Sequence, residues 1–333
     1  MRRQTRRAFF FISFLVFIVL SWLTVLYALG YKYDFVQNQF FKTGSFEISA
    51  SANAQIYIND ELAGTTSFLG NSFSKSRLLP RTFTVRVQNE KYQPWQKLVG
   101  IEAGVFTDFP RVVLIPQVPA EDIIASGSLK GVTSMEFDAK QGTVAISNGL
   151  QVETISLDNG QRVSLKPFIK ATPKPTPPPP LTANLLGATP PAANGEINLI
   201  QSPDGNKGVW LNNREVWVKW LKDTNYQPVR KAGDMELVAR FPQKIADVQW
   251  YKDSDHLIAS AGGLLEFMEI DNRGGINISA ISTIDPVKSS EAGAAGRQFD
   301  WVDSPFYYDK GANAIFKFAG NKLVKISLDK PQP

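Results

Sequence analysis

Few side chains in this sequence can move a proton or hold a metal, and His256 is the only histidine. It lies in Lys252-Asp253-Ser254-Asp255-His256-Leu257, a polar stretch leading into an apolar run, which is the setting of a structural turn rather than of a general base. Asp253 and Asp255 offer oxygens of the kind calcium takes, but the central glycine and terminal glutamate of an EF-hand loop are missing. The chain has no cysteine, which removes disulfides, zinc–thiolate sites, iron–sulfur clusters and thiol nucleophiles together. Gly262-Gly263 and Gly274-Gly275 are not followed by the Lys and Ser or Thr of a phosphate loop and read as hairpin turns. No Gly-x-Ser-x-Gly elbow occurs. The expectation is a protein with no catalytic residue, no metal and no cofactor.

Aromatic side chains are the remaining candidates for a ligand site. Trp210, Trp217 and Trp220 fall within one hairpin, and exposed tryptophans stack on sugar rings or anchor protein interfaces. The competing reading is packing: Val216, Val218 and Trp220 share one strand face and Trp217 shares the other with Leu221, so both faces look buried. Trp250 and Trp301 stand in matching places ahead of later turns, as repeat packing would require.

The charge distribution points to a membrane. The formal net charge is +5, and Arg2, Arg3, Arg6 and Arg7 supply four of those charges, leaving the rest of the chain nearly neutral. No basic stripe follows that could track phosphates, so nucleic acid is not an expected partner. Directly after the arginines, Ala8 to Gly30 form 23 residues without a charge. As a helix rising ~1.5 Å per residue they span roughly 34 Å, enough for a bilayer core. Phe9, Phe10, Phe11, Phe14 and Phe17 point all round such a helix and leave no polar face. Ser13, Ser21 and Thr24 can return their hydroxyls to the helix backbone, and Trp22, Tyr27, Tyr31 and Tyr33 gather at the outer end as an interfacial belt. The four arginines are the topology determinants: by the positive-inside bias residues 1–7 stay in the cytoplasm and the body lies across the cytoplasmic membrane. A cleaved signal peptide is the alternative, because Ala28 and Gly30 form a small-x-small pattern, although secretory apolar cores run only about 7 to 15 residues.

Beyond a juxtamembrane linker at 31–43, residues 44–116 alternate apolar and polar side chains in short runs broken by glycines and prolines. Phe46 and Ile48, Ile56 and Ile58, then Phe83, Val85 and Val87 keep a period of two, and Asn59-Asp60 marks a turn. The segment GSFEISASANAQIYINDELAGTT, with LLPRTFTVRVQNEKYQPW and LVGIEAGVFTDFPRVVLIP after it, resembles a PEGA domain, a small β-sandwich of bacterial and archaeal envelope proteins. It departs from that family at Ala52-Asn53-Ala54, where Pro-x-Gly-Ala is usual, at Pro80-Arg81-Thr82, where Gly commonly follows the Pro, and in its longer polar loop from Ser67 to Ser76. The resemblance implies an exported binding or spacer module with no catalytic residues.

Residues 117–330 show longer units beginning near Val132, Ile197, Ile245 and Arg297, a repetition of roughly 40 to 50 residues such as propeller blades give. Ser202-Pro203-Asp204-Gly205 aligns with Lys252-Asp253-Ser254-Asp255 and with Ser304-Pro305, and the turn followed by alternating strands is similar to TolB-like and WD-repeat β-propellers. Closure of a ring would need the last strands to meet the segment around Ile123. A second, irregular β-sandwich built of similar hairpins is the alternative. Residues 171–195 carry eight prolines and one charge, Lys174, and read as a polyproline-like interruption of this domain or as a linker. The expected whole is an all-β envelope protein: transmembrane helix, PEGA-like sandwich, then a propeller-like domain of degenerate blades. Its expected role is noncatalytic, presenting these domains to protein or glycan partners outside the cytoplasmic membrane. The alternatives are an assembly or docking factor without glycan affinity and, further off, an envelope hydrolase.

Overall fold

The computed structural model describes residues 3–126, 134–138, 140–148, 150–167, 199–284, 306–319 and 322–332, apart from a few side chains at the edges of these ranges. The protein is mostly β and divides into two compact units, residues 1–89, 94–114 and 273–275 in the first and 90–93, 115–272 and 276–333 in the second.

The first unit opens with α1 (Arg3–Ala28), whose apolar stretch Phe9–Ala28 has a mean hydropathy of 2.6 and is nowhere buried among the described residues. Thr24 Oγ1 donates to Leu20 O at 2.7 Å, so its hydroxyl is satisfied inside the helix. Gly30 takes φ +84°, the left-handed conformation that ends a helix without a Cβ penalty. Residues 31–43, expected to be a linker, instead carry a hairpin of β1 (Tyr31–Asp34) and β2 (Gln39–Lys42), with Tyr31 opposite Lys42 and Tyr33 opposite Phe40.

Seven strands follow: β3 (Gly44–Ala50), β4 (Gln55–Ile58), β5 (Glu61–Thr65), β6 (Ser72–Leu78), β7 (Thr82–Gln88), β8 (Trp95–Gly100) and β9 (Phe106–Val112). They form two sheets, ordered β6-β3-β9 and β5-β4-β7-β8. The period of two is realised in burial, because Phe46 and Ile48 of one sheet and Ile56, Val85 and Val87 of the other have no exposed surface. Trp95 of β8 meets Phe109 of β9 edge-on at 5.6 Å, joining the sheets through their inner faces. Asn59 and Asp60 adopt φ of 50° and 66°, the paired left-handed residues of a tight hairpin turn between β4 and β5.

The second unit contains β10 (Pro119–Ser126), then β11 (Ser134–Asp138), β12 (Thr143–Ser147), β13 (Gln151–Ser156) and β14 (Arg162–Pro167) as one antiparallel sheet. A second sheet holds β15 (Ile200–Gln201), β16 (Lys207–Asn212), β17 (Glu215–Trp220) and β18 (Met235–Arg240). A third holds β19 (Ile245–Trp250), β20 (His256–Ala261), β21 (Leu264–Glu269) and β22 (Ile278–Thr283). The last comprises β23 (Phe306–Asp309), β24 (Ala314–Ala319) and β25 (Lys322–Pro331), and β10 completes it in the order β10-β25-β24-β23. Ile123 pairs with Val324 and Glu121 with Ile326, so the opening and closing strands of the unit share one sheet. The pairing of the last strand with the first thus falls on the segment around Ile123.

Each sheet is too thin to hold a core alone and buries its faces against a neighbour. Val209, Val216, Val218 and Trp220 pack with Val248, Trp250, Leu257 and Ala259 of the next sheet. Val144, Ile146 and Ile155 pack with Phe316, Phe318 and Leu323 of the last. An aspartate opens the first turn of every sheet: Asp138, Asp204, Asp253 and Asp309 each accept the backbone N–H two residues on through Oδ1, at 2.8–3.0 Å. The repeat alignment therefore shifts by one residue from the sequence expectation. Asp204 matches Asp253, and Gly205 matches Ser254, whose φ values are 66° and 64°. The turn of the last sheet begins at Asp309, while Ser304-Pro305, Trp301 and the proline-rich segment 171–195 lie outside the described residues.

Because β25 lies between β10 and β24, deleting residues 322–332 removes two ladders at once. Limited proteolysis should then show cleavage throughout residues 115–321, with the first unit's fragments still protected; an unchanged cleavage pattern would contradict a role for this strand in holding the unit together.

Candidate functional site

Trp210 of β16 and Trp217 of β17 stand directly opposite in register and stack at 5.7 Å with planes 16° apart. They are 5% and 8% exposed, and Trp220, at 3%, lies on the other face with Val216 and Val218. Both faces of the hairpin are thus covered, and none of the three rings stands open to a ligand. Glu215 explains how the indole of Trp217 tolerates burial: its Oε2 accepts the Nε1–H at 2.9 Å, while Oε1 accepts Arg240 Nε–H at 2.8 Å. The Trp217 hydrogen bond, aided by Arg240 and opposed by burial, holds the Glu215 carboxyl below its ordinary 4.5. Trp210 Nε1 is buried without a hydrogen-bond partner among the described residues.

Trp220 sits beneath Arg230, whose guanidinium carbon is 5.1 Å from its ring centre. Arg230 donates to Glu236 at 2.6 Å and to Asn272 Oδ1 at 3.0 Å. Burial pushes the Glu236 carboxyl up, more strongly than the arginine pulls it down. Arg230 is brought there by the long loop between β17 and β18, in which Thr224 Oγ1 accepts the Arg230 N–H at 2.7 Å and Asp223 accepts Ala232 N–H and Lys231 Nζ–H.

The same loop supplies Tyr226 to a second polar cluster. Lys207, the first residue of β16, is fully buried, and its ammonium lies 3.1 Å from Asp255 Oδ1, 3.5 Å from Asp204 Oδ2 and 3.0 Å from Tyr226 Oη. Burial works to raise Asp204, but hydrogen bonds from Ser202 and the Asn206 N–H, together with the lysine, bring it below its ordinary value. His256 occupies the equivalent place at the start of β20: it is 3% exposed, Nδ1 lies 2.7 Å from Asp253 Oδ2, and its ring stacks on Phe267 at 4.9 Å. Two repeats thus carry the same device, an aspartate reaching forward three residues to the nitrogen that opens the next strand. Lys207 went unnoticed in the sequence, and the signal that would have found it is the shared Asp-x-x-Lys and Asp-x-x-His spacing.

Asp253 and Asp255 face different partners, His256 and Lys207, and no group of three or more His, Cys, Asp or Glu among the described residues gathers as a metal site would. Gly262 and Gly263, with φ of 58° and 82°, form the hairpin turn between β20 and β21, and Gly274 and Gly275 lie with positive φ in the next connection. Of the topology determinants, Arg6 and Arg7 project exposed from the first turns of α1, Arg3 starts the helix, and Arg2 lies outside the described residues.

No family model matches the chain, and no curated protein matches it. Solved structures do. The Swd1 β-propeller domain from Myceliophteria thermophila is 9% identical, over 75% of this chain and 67% of that one, with a TM-score of 0.24. Hsv2 from Kluyveromyces lactis is 9% identical over 74% and 66%, with a TM-score of 0.23. The extracellular domain of a hybrid two-component system from B. thetaiotaomicron is 9% identical over 91% of this chain but only 31% of that one, with a TM-score of 0.25.

Lys207→Ala removes the cation held between Asp204 and Asp255, and the loss of one partner from a buried ionic cluster should cost about 3–5 kcal/mol in chemical denaturation. Wild-type-like stability would contradict the assignment. Glu215 has a depressed folded pKa, so its contribution is fully present above its ordinary 4.5 and is lost as pH falls through the folded value. Glu215→Gln should therefore lower the melting temperature at neutral pH and flatten its decline on acidification; parallel curves for both proteins would be the contrary result.

Proposed function

We propose that this chain is a noncatalytic, single-pass protein of the cytoplasmic membrane whose two β units lie outside the cytoplasm and dock a protein partner of the cell envelope. The observation that carries it is α1, whose twenty uncharged and mostly apolar residues Phe9–Ala28 are nowhere buried among the described residues, entered from an arginine-rich end. The retained anchor is favoured over a cleaved signal peptide by Gly30, the residue before the candidate cleavage point. Its carbonyl accepts both the N–H and the hydroxyl of Thr43, at 2.8 and 2.7 Å, which ties the helix end to the chain that follows.

The two sheets of residues 44–112 support reading the first unit as a PEGA-like spacer. Burial of Trp210, Trp217 and Trp220 favours docking through protein contacts over stacking of glycans on those rings. His256 favours a noncatalytic reading, since its ring is committed to Asp253 and Phe267 inside the fold.

The absence of cysteine makes topology directly testable. Phe68 is 94% exposed in the loop between β5 and β6, and a Phe68→Cys variant on intact cells should react with a membrane-impermeant maleimide. Labelling only after lysis would place the body in the cytoplasm and overturn the proposal. Crosslinking from the same position, set against binding to isolated wall glycans, separates the docking role from a glycan role.

A further inference from the structure

The hairpin of β1 and β2 packs against the end of α1. Its base pair, Tyr31 with Lys42, adjoins Gly30 and Thr43 at the helix end. Two positions toward the tip, Phe40 meets Trp22 edge-on at 5.8 Å. Trp22 precedes the last helical residue, Ala28, by six positions, or ~9 Å along the axis. The hairpin therefore does not lead away from the helix but folds back beside it, and its tip lies further back still. Tyr33 packs on both Phe35 and Phe40 at 5.1 Å, making one aromatic cluster with Trp22. At the edge of that cluster the tip carries Phe35 and, next to it, Val36, each 84% exposed.

We infer that residues 31–42 form an interfacial hairpin that sets Phe35 and Val36 into the outer leaflet of the bilayer, beside the point where α1 emerges. This rests on the membrane-anchor reading of α1. Lipid is the occupant because the hairpin runs alongside the helix that reading places in the bilayer, so the surface it exposes is continuous with the lipid-facing surface of α1. The chemistry also sets the depth. A two-stranded hairpin has open edges whose unpaired backbone groups are not tolerated in hydrocarbon. Its tip mixes Phe35 and Val36 with Gln37, Asn38 and Gln39, and Asp34 Oδ1 accepts the Val36 N–H at 2.8 Å. Such a mixture suits the boundary between headgroups and acyl chains, about 5–10 Å deep, where apolar rings find acyl carbon and amides find water or lipid carbonyls. The last turns of α1, carrying Tyr27, then stand at the headgroup level with the hairpin against them. The device adds a second membrane contact to that of α1 and so helps to fix the height of the first unit on the membrane.

Depth-dependent quenching tests this on the full chain in phosphatidylcholine–phosphatidylglycerol vesicles. Single cysteines replace Phe35, Leu15 or Phe68 and carry an environment-sensitive fluorophore, with nitroxide lipids labelled either near the carbonyls or near the chain ends. Val36→Cys serves as a second hairpin probe should Phe35→Cys disturb the Tyr33 contact. The expected result is quenching at Phe35 and Val36 by the shallow nitroxide, quenching at Leu15 by the deep one, and none at Phe68. Quenching at Leu15 with Phe35 and Val36 as unquenched as Phe68 would overturn the hairpin inference while leaving the anchor intact. No quenching at Leu15 would remove the anchor reading, and this inference with it.

Discussion

A helix with apolar side chains on every face must be covered by something, and among the described residues the apolar stretch of α1 is nowhere buried, touched only near its end where Trp22 meets Phe40 and Tyr27 lies under Arg77. None of the residues from Phe9 to Ala28 is buried, and all but Ser21 and Leu26 are exposed, although both β units bury cores of their own. Water is a poor solvent for such a surface, since each large side chain left uncovered forgoes about 1.5–3 kcal/mol of burial. The demand for lipid fixes the rest of the proposed arrangement: the arginines mark the entry side, Gly30 ends the helix, and the β body begins within a few residues of the exit.

The second unit solves a different problem, that of holding four thin sheets in register without disulfides. Apolar packing between neighbouring sheets supplies most of the cohesion, as in the cluster joining Val218 and Trp220 to Trp250 and Leu257. Buried polar groups add specificity of alignment. Lys207 ties the turn of one sheet to Asp255 in the turn of the next, and Trp250 Nε1 donates to Ile200 O across the same boundary at 2.8 Å. Gln249 does so a further sheet along, donating to Phe306 O and accepting from Tyr308 N, each at 2.9 Å. A slipped sheet would leave these buried groups unpaired, so they act against alternative alignments more than they raise stability.

Much of this was legible in the sequence because it rests on periodicity. The apolar run of α1, the alternation at Phe46, Ile48, Phe83, Val85 and Val87, and the repeat starts near 197 and 245 are local patterns that strands and helices reproduce directly. The Asn59-Asp60 and Gly262-Gly263 turns were equally readable, because left-handed φ values select those residues. What escaped was set by tertiary neighbours. Lys97 sits on the buried face of β8 at 1% exposure, where charge alone would have placed it outside. The one-residue shift that matches Asp204 with Asp253 depends on backbone conformation at Gly205 and Ser254. The hairpin at 31–42 was missed because Lys32, Asp34 and Gln37–Gln39 dilute its alternation, and only its packing on Trp22 gives it a purpose. For the candidate ligand site, residue type suggested stacking platforms, while register placed Trp210 against Trp217 and turned both into mutual cover.

The most direct test of the membrane constraint is to wash membranes from expressing cells at alkaline pH and determine the intact mass of the protein in pellet and supernatant. Retention in the pellet with residues 1–30 still attached is the predicted result. Recovery in the supernatant with those residues attached would contradict it, as would a pelleted or soluble species that begins at Tyr31.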